Sequence, residues 1–356
     1  MNETTNARLD RPSVEEVDLS DLLTDVLAIP EHLRDAQWKA ESADLRGWDS
    51  EGGLVVAGMG DSAIGAHLAR AVLGDQASRP IFVSRAYGLP AWTTPDTTVL
   101  CASYSGNTEE TLAAYEAAGH LGAKRVVVTS GGRLAEEARA DGVQVIPVAG
   151  GYQARAAVAY MTVAVLHVAA MCGAAPRMAS EIDVAAEHLE ELVSEWGPEG
   201  DEQSLAKALA RSLNGTIPVV YGAGLTTSIA YRWKTQINQN TEIPAFSHEL
   251  PELDHNELAG WAGASDYGSF GAVFLDDDDT HPRVKERIAV TRELIATQAV
   301  GGTHVVSSRG QTAIERLFSL VLLGDLVSLY LAVLRGVDPT PVPATERLRD
   351  ELARLS

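Results

Sequence analysis

The stretch Val55-Val56-Ala57-Gly58-Met59-Gly60 predicts a buried strand that ends in a glycine turn. The stretch Val219-Val220-Tyr221-Gly222-Ala223-Gly224 repeats this pattern in the second half of the chain. A helical pattern follows each turn, over Ser62–Leu73 and Thr226–Ile237. Apolar strands that alternate with helices are typical of a parallel sheet covered on both faces. The sequence therefore predicts an α/β fold of two similar domains, with a cleft between them.

The same alternation extends through most of the 356 residues, which exceed the size of one ordinary domain. We expect an N-terminal helical segment over residues 1–45, a first domain over 46–178, a connecting helix and linker over 179–200, and a second domain with a C-terminal helix over 201–356. The predicted strands are Leu54–Ala57, Ile81–Ser84, Val99–Ser103, Arg125–Thr129, Val143–Pro147, Pro218–Tyr221, Ala272–Leu275 and His304–Ser307.

The charge of the chain limits its partners. The chain contains 28 Lys and Arg and 49 Asp and Glu, which gives a formal net charge of -21. No basic run offsets this charge, so nucleic acid is not expected as a partner. The acidic run Asp276–Asp279 predicts a solvated loop rather than a calcium site, because calcium loops alternate their acids and include a glycine.

Cysteine usage and hydropathy indicate the compartment. Cys101 and Cys172 are the only cysteines, so the chain has no disulfide framework, and a reducing compartment is expected. Residues 1–17 are polar and lack the apolar core of a signal peptide. The apolar stretch Ala156–Cys172 is short for a membrane span and contains His167, which favours a buried core helix. We therefore expect a cytoplasmic protein that does not bind a membrane.

The segment Ser103-Tyr104-Ser105-Gly106-Asn107-Thr108-Glu109-Glu110-Thr111 leaves a predicted strand, turns at Gly106 and begins a helix. Its hydroxyls and free backbone N–H groups converge where the helix dipole is positive, which favours a bound phosphate. An ordinary helix cap is the alternative, since Ser, Asn and Thr favour helix starts. Three hydroxyl residues and a glycine around one cap exceed what capping requires, so we predict a phosphate site.

The first glycine turn differs from a dinucleotide-binding fingerprint. Gly58, Gly60 and Gly65 do not have the G-x-G-x-x-G spacing, and Val83-Ser84-Arg85 places no acid at the end of the second strand. No G-K-[ST] follows the glycines, so a nucleotide P-loop is also absent. We expect neither a cofactor nor a metal.

Taken together, these segments resemble the sugar isomerase (SIS) domain, and the chain as a whole resembles the bifunctional phosphoglucose/phosphomannose isomerases. The resemblance covers nearly the whole chain. Besides the first glycine turn and the segment from Ser103 to Thr111, it rests on Gly151–Arg155, Pro244–Phe246, Pro251–Glu257, Gly260-Trp261, Asp325–Leu331 and Gly336–Val342.

The resemblance implies two SIS domains, a homodimer, and metal-free isomerisation of glucose 6-phosphate and mannose 6-phosphate to fructose 6-phosphate through an enediol. Arg155 would stabilise the enediolate, and His255 would assist ring opening from the partner subunit. Thr340 would serve the mannose epimer, and Arg349 would touch the ring oxygen or a hydroxyl. The apolar helix Leu317–Leu334 must be covered, which also favours a dimer. The residues expected to hold the sugar phosphate are Gly60, Ser62, Ser103, Ser105 and Thr108.

Two positions depart from the family pattern. Gln239 stands where the family has the glutamate that carries the proton between C1 and C2, and an amide cannot accept that proton. Glu242, about one helical turn further on, is a candidate substitute base. Asp61 stands where the family favours Gly, and it adds a negative charge close to the expected phosphate.

Three functions stay open from the sequence. The first is a working hexose-phosphate isomerase with an unexpected base. The second is a related enzyme that acts on a different sugar phosphate, and the third is a non-catalytic sugar-phosphate-binding or regulatory protein. The presence of Arg155 and His255 favours an enzyme, because binding alone requires neither.

Overall fold

Two parallel sheets organise residues 8–354, which are the residues that the computed structural model describes. The first sheet comprises β1 (Leu54–Gly58), β2 (Ile81–Ser84), β3 (Thr98–Ala102), β4 (Lys124–Thr129) and β5 (Val145–Pro147). The second comprises β6 (Ile217–Gly222), β7 (Phe246–Glu249), β8 (Phe270–Asp276) and β9 (Thr303–Ser307). The strand orders are β2-β1-β3-β4-β5 and β7-β6-β8-β9.

Helices cover the sheets, and short 3₁₀ segments connect several elements. In the first half the helices are α1 (Arg11–Glu15), α2 (Leu22–Leu27), α3 (Ile29–Ser42), α4 (Gly60–Leu73), α5 (Glu109–Leu121), α6 (Gly132–Ala140), α7 (Val158–Met171) and α8 (Ala179–Trp196). In the second half they are α9 (Leu205–Leu213), α10 (Thr227–Thr241), α11 (Pro282–Ile295), α12 (Ala313–Arg335) and α13 (Pro343–Ala353). The 3₁₀ segments are Gly74–Gln76, Ala154–Ala157, Gly224–Thr226, Glu252–His255 and Glu257–Asp266.

The order of the first sheet creates a crevice. Strands β1 and β3 are buried along their whole length and pair in parallel from Leu54 with Thr98 to Gly58 with Ala102. The chain leaves β1 towards β2 on one side, whereas β3 and its successors extend on the other. In open α/β sheets, ligands bind beyond the carboxyl ends of the strands at such a reversal. A ligand-binding site is therefore expected at the loops that follow β1 and β3.

Helix α12 lies at the centre of the core. Every residue from Ile314 to Leu334 is buried, and the helix packs against α8, α9 and α10. Trp233 Nε1 donates a hydrogen bond to Leu320 O at 2.8 Å. This close approach requires Gly324, because a Cβ there would lie 2.2 Å from Trp233 Nε1. Helices of the same chain cover this helix, so its apolar surface does not support the expected dimer.

Two segments are long and apolar enough to cross a membrane, Ala154–Met171 and Ala313–Arg335. Inside the protein, 78% of the first apolar window and 100% of the second are buried. Such burial is typical of the core helices of a globular protein.

The acidic run Asp276–Asp279 is not wholly solvated, contrary to the prediction. Asp277 is 2% exposed, and Arg316 Nε donates to its Oδ1 at 2.9 Å. Arg316 also pairs with Asp279, and Lys285 Nζ lies 3.8 Å from Asp276 Oδ2. The buried carboxylate is thus compensated by a guanidinium from α12.

The predicted strands are all present in the described residues, each within two residues of the expected ends. The strand β7 was not expected, because it is a four-residue edge strand with no buried position. One continuous cluster of buried apolar residues contains Val56 of the first sheet and Val220 of the second. The domain boundaries proposed around residues 179–200 therefore stay a prediction.

Candidate active site

The predicted phosphate site is a compact hydroxyl cradle, which we define as Ser62 and Ser103–Thr108. Ser103, which is 1% exposed, places its Oγ 2.8 Å from Thr108 Oγ1. The Gly106 N–H donates to Ser103 Oγ at 3.1 Å, and the Asn107 N–H donates to Ser105 Oγ at 3.2 Å. The structure thus brings the Ser103 and Thr108 hydroxyls together at the start of α5, with the Ser105 hydroxyl on the same loop.

Gly106 shapes this loop. Its φ of +68° lies in the left-handed region, and a Cβ there would lie 1.8 Å from Gly131 O. Only glycine allows the loop after β3 to pack this closely against the start of α6.

Helix capping does not account for the cradle. Thr108 is the N-cap of α5, yet its side chain forms no capping hydrogen bond and contacts Ser103 instead. Helix α4 also begins without a side-chain cap, at Gly60. The first N–H groups of both helices are therefore left for another acceptor, which favours an anion.

The turn after β1 joins the cradle. Gly60 begins α4 with a φ of +50°, and no atom lies within 4 Å of a Cβ placed there. The Tyr104 N–H donates to Ser62 Oγ at 3.2 Å, so the two loops are in contact. Both predicted parts of the phosphate site therefore meet at the reversal of the first sheet.

Arg155 and Thr340 lie together at the next part of the site. Arg155 is 3% exposed, and its Nη2 donates to Pro339 O at 2.7 Å and to Thr340 O at 2.9 Å. Arg155 Nε and Thr340 Oγ1 are buried and have no partner within residues 8–354. Buried polar atoms without partners are costly, so both are suited to hydrogen bonds with a bound ligand. Burial lowers the pKa of Arg155, and the Asp61 carboxylate opposes that effect.

A buried charge network connects Arg155 with the second half of the chain. Arg232 Nη2 donates to the Arg155 carbonyl at 3.0 Å, and Arg232 also pairs with Asp325. Arg232 Nη1 lies 3.9 Å from Asp61 Oδ1, and Gln236 Nε2 donates to the same oxygen at 3.4 Å. The Asp61 carboxylate therefore contacts α10, where a guanidinium and an amide compensate its charge.

The position of the family's base lies in a groove of about 700 Å³ between α10 and the segment Pro341–Thr345. Asn238 Oδ1 accepts from the Ala245 N–H at 2.7 Å, and Asn240 Nδ2 donates to Ser328 Oγ at 2.8 Å. Gln239, between them, lines the groove and forms no side-chain hydrogen bond in the described part of the chain. The flanking asparagines thus have structural partners, whereas Gln239 is free to contact a ligand.

Glu242 lines the same groove, although the helix does not continue to it. Helix α10 ends at Thr241, and Glu242 is its C-cap with a φ of +54°. The expected helical turn between Gln239 and Glu242 depended on the helix continuing, which it does not, but both residues line one groove.

Two predicted residues stand apart from this cluster. His255 is exposed at the end of a 3₁₀ segment, and Arg349 is exposed on α13. Neither side chain forms a hydrogen bond or ion pair with residues 8–354. His255 is therefore not a buried core histidine.

Sequence reasoning missed the links between these groups. The Tyr152 N–H donates to Tyr104 Oη at 2.9 Å, which ties the Arg155 loop to the cradle. Burial raises the pKa of Tyr104, and the Asp25 carboxylate of α2 adds to that rise. Burial and the neighbouring Asp21 and Asp18 raise the pKa of Asp25 to about 6. No local pattern marks these contacts. The charge of Asp325 inside an apolar helix was the one usable signal.

Relatives of known name match most of the chain. It is 40% identical over 305 residues to the bifunctional phosphoglucose/phosphomannose isomerase of Caldicellulosiruptor bescii, covering 85% of this chain and 90% of that protein. It is 35% identical over 319 residues to the protein of the same name from Aquifex aeolicus, covering 89% and 95%. A D-glucosamine-6-phosphate 4-epimerase of Sulfolobus acidocaldarius is 35% identical over 164 residues, covering 46% of this chain and 50% of that protein.

Solved structures share the fold at low identity. A hypothetical protein of Thermus thermophilus superposes with a TM-score of 0.72 at 17% identity, covering 96% of this chain and 94% of that one. A putative phosphosugar isomerase of Clostridium difficile superposes with a TM-score of 0.68 at 16% identity, covering 93% and 97%.

The second half of the chain also matches a family model. Residues 202–352 fit the bacterial phospho-glucose isomerase C-terminal SIS domain. With relatives at 40% and 35% identity over more than four fifths of its length, the family is settled. The chain belongs to the bifunctional phosphoglucose/phosphomannose isomerases, a family of sugar-phosphate isomerases built from SIS domains.

Proposed function

We propose that this protein interconverts hexose 6-phosphates, glucose or mannose 6-phosphate with fructose 6-phosphate, through an enediol. The observation that carries the proposal is the hydrogen bond from the Tyr152 N–H to Tyr104 Oη, which joins the hydroxyl cradle to the loop that leads to the buried, partly unpaired Arg155. A phosphate in the cradle would be held by hydroxyls and helix N-termini, without a lysine. The sugar would then extend towards Arg155 and α10.

Each remaining group has a role that its position supports. Arg155 supplies positive charge in a buried place, where it stabilises negative charge that develops on the enediolate oxygens. Thr340 holds a buried hydroxyl beside it, suited to a sugar hydroxyl. Proton transfer between C1 and C2 requires a carboxylate or another base within hydrogen-bond reach, which Gln239 cannot provide. Glu242, in the same groove, is a candidate for that role.

The oligomer and compartment follow the same reasoning. We infer a homodimer in which the exposed His255 assists ring opening in the partner's site, with Arg349 of α13 near the sugar ring. Helix α13 leaves Leu348 61% exposed and Leu352 46% exposed, which supports contact with another surface. We also infer a cytoplasmic protein, since both cysteines are buried free thiols.

Gln239 favours two other candidates. A related enzyme would keep the cradle and Arg155 while it acts on a different sugar phosphate, such as an amino sugar phosphate. A non-catalytic regulatory protein would keep the cradle alone. Both differ from the isomerase in what they do to the C1 and C2 protons of fructose 6-phosphate.

Incubation of the pure protein with fructose 6-phosphate in deuterated water tests the proposal. We expect deuterium at C1 of fructose 6-phosphate and the appearance of aldose 6-phosphates, followed by NMR. Binding of fructose 6-phosphate without exchange would contradict an isomerase and support the regulatory protein. Exchange without any aldose would instead support a related enzyme with altered chemistry.

A further inference from the structure

We propose that Asp61 is the base that transfers the proton between C1 and C2, in place of the carboxylate that Gln239 lacks. This inference rests on the proposed isomerisation. It concerns which side chain performs the reaction, and its test is arranged so that the two can fail separately.

Asp61 adjoins the cradle and contacts Arg232, which in turn donates to the Arg155 carbonyl. It is the second residue of α4, and the next residue, Ser62, accepts the Tyr104 N–H of the cradle. Its side chain is 12% exposed, so solvent or a ligand can reach it. Among charged groups, Asp61 has the strongest influence on Arg155, which places the two in one electrostatic environment.

The Asp61 carboxylate also meets the face of α10 that carries Gln239. Gln236 donates to Asp61 Oδ1, and Arg232 lies near the same oxygen. At 100° per residue, Arg232, Gln236 and Gln239 fall within an arc of about 60° on the helix. Side chains three apart on a helix have Cβ atoms about 5–6 Å from each other. Asp61 therefore contacts α10 within one helical turn of Gln239, which occupies the position of the family's base.

One oxygen of Asp61 is available. Its contacts with Gln236 and Arg232 use Oδ1, whereas Oδ2 forms no hydrogen bond within residues 8–354. Fixing Oδ1 in this way orients the carboxylate and leaves the second oxygen for a proton.

Other carboxylates around the site are less suited. Asp325 uses both oxygens on Arg232 and is 5% exposed. Asp18 uses both oxygens to cap α2, at the N–H groups of Leu22 and Leu23. Glu242 is exposed at the end of α10 and has no described contact that orients it. Asp61 alone among these combines partial burial, a fixed orientation and a free oxygen.

The proton transfer balances with one carboxylate. In the open-chain aldose, Oδ2 removes the proton from C2, the C–H electrons form the C1–C2 double bond, and the C1 carbonyl electrons move onto O1. The proton of the C2 hydroxyl then passes to O1, the resulting carboxylic acid returns its proton to C1, and the electrons left on the C2 oxygen form the ketone. Arg155 stabilises the negative charge on the oxygens in between. No oxidant, metal or further reactant is consumed.

The test compares Asp61→Asn, Glu242→Gln and the wild-type protein. We expect Asp61→Asn to lower kcat and deuterium exchange at C1 at least 100-fold. Its affinity for fructose 6-phosphate, measured by calorimetry, should stay equal or increase, because a negative charge near the phosphate is removed. Glu242→Gln removes the competing candidate base and should lower exchange far less than Asp61→Asn does. The opposite ranking of the two variants would overturn the assignment.

A pair of variants separates catalysis from structure. Asp61→Gly, near the start of a helix where glycine is tolerated, should be as inactive as Asp61→Asn. Adding Gln239→Glu to Asp61→Gly returns a carboxylate to the position of the family's base and should restore at least a tenth of the exchange rate. Retained exchange in Asp61→Gly would contradict the role of Asp61. If the wild-type protein itself shows no exchange, the proposed isomerisation fails first, and the role of Asp61 fails with it.

Discussion

Arg232 donates to Asp325 twice, through Nε to Oδ1 at 3.0 Å and through Nη2 to Oδ2 at 2.7 Å. Arg232 is 1% exposed and Asp325 5% exposed. Burial raises the pKa of Asp325, while the neighbouring guanidinium of Arg232 opposes that rise. The pair joins α10 to α12 and, through the Arg155 carbonyl, supports the site.

The substitution Asp325→Asn should destabilise the protein by about 3–5 kcal/mol, because it leaves a buried guanidinium without its counter-charge. Urea unfolding at pH 7.5 measures this change. The exposed pair Arg283–Glu286 supplies the control, since Glu286→Gln should cost less than about 1 kcal/mol. Equal effects of the two substitutions would mean that the buried pair does not hold the two helices together.

The cradle turn gives a second prediction. Gly106→Ala should lower the free energy of unfolding by about 1–2 kcal/mol because of the left-handed backbone, and further because the added Cβ collides with Gly131 O. It should also abolish fructose 6-phosphate binding. Gly122 has a similar φ of +76° but open space around a Cβ, so Gly122→Ala should show the backbone cost alone and bind normally. Thermal melts and calorimetry on both variants separate the two effects.

Much of this fold could be predicted because its signals are local. The turn at Gly106 and the strand that precedes it depend on residues within one short segment, and the structure has both. The strand β7 was missed because its four residues lie at the sheet edge and bury no alternating face. Contacts such as Arg232 with Asp325, 93 residues apart, are fixed by the tertiary packing of two helices. No pattern in the sequence specifies such a pair in advance.

The same limit applies to the candidate base. Gln239 and Asp61 were both recognisable as departures from the family, but 178 residues separate them along the chain. Only the packing of α4 against α10 brings Asp61 to Gln236. The negative charge that was expected close to the phosphate therefore has partners on α10.

Ser105 tests the cradle without disturbing the fold. Its side chain is exposed, and its Oγ accepts one hydrogen bond, from the Asn107 N–H. Ser105→Ala should weaken fructose 6-phosphate binding about tenfold, since a hydrogen bond to a charged group contributes about 1.5 kcal/mol or more. Ser180→Ala, at an exposed serine of α8, is the matched control. Unchanged affinity in Ser105→Ala would place the phosphate elsewhere.

Asp25 predicts a pH dependence of stability. Its pKa is raised by burial, with Asp21 and Asp18 adding to the effect, from 3.8 to about 6. Between these pH values the folded chain binds more protons at this side chain than the unfolded chain does, so the free energy of unfolding falls as pH rises through that window. Asp25→Asn removes this loss. The free energy of unfolding of the variant should equal that of wild type near pH 4 and exceed it by about 1 kcal/mol at pH 7.5. The difference is this small because the side chain is only partly buried, so solvent screens its charge.

Urea unfolding at the two pH values measures this difference. Ser20→Ala, at an exposed neighbouring position without a charge, should change stability equally at both. A stability gain of Asp25→Asn that is largest at pH 4 would reverse the sign and contradict a raised pKa. The Asp25 carboxylate helps to raise the pKa of Tyr104, so tighter fructose 6-phosphate binding by Asp25→Asn would further show that this carboxylate influences the phosphate site.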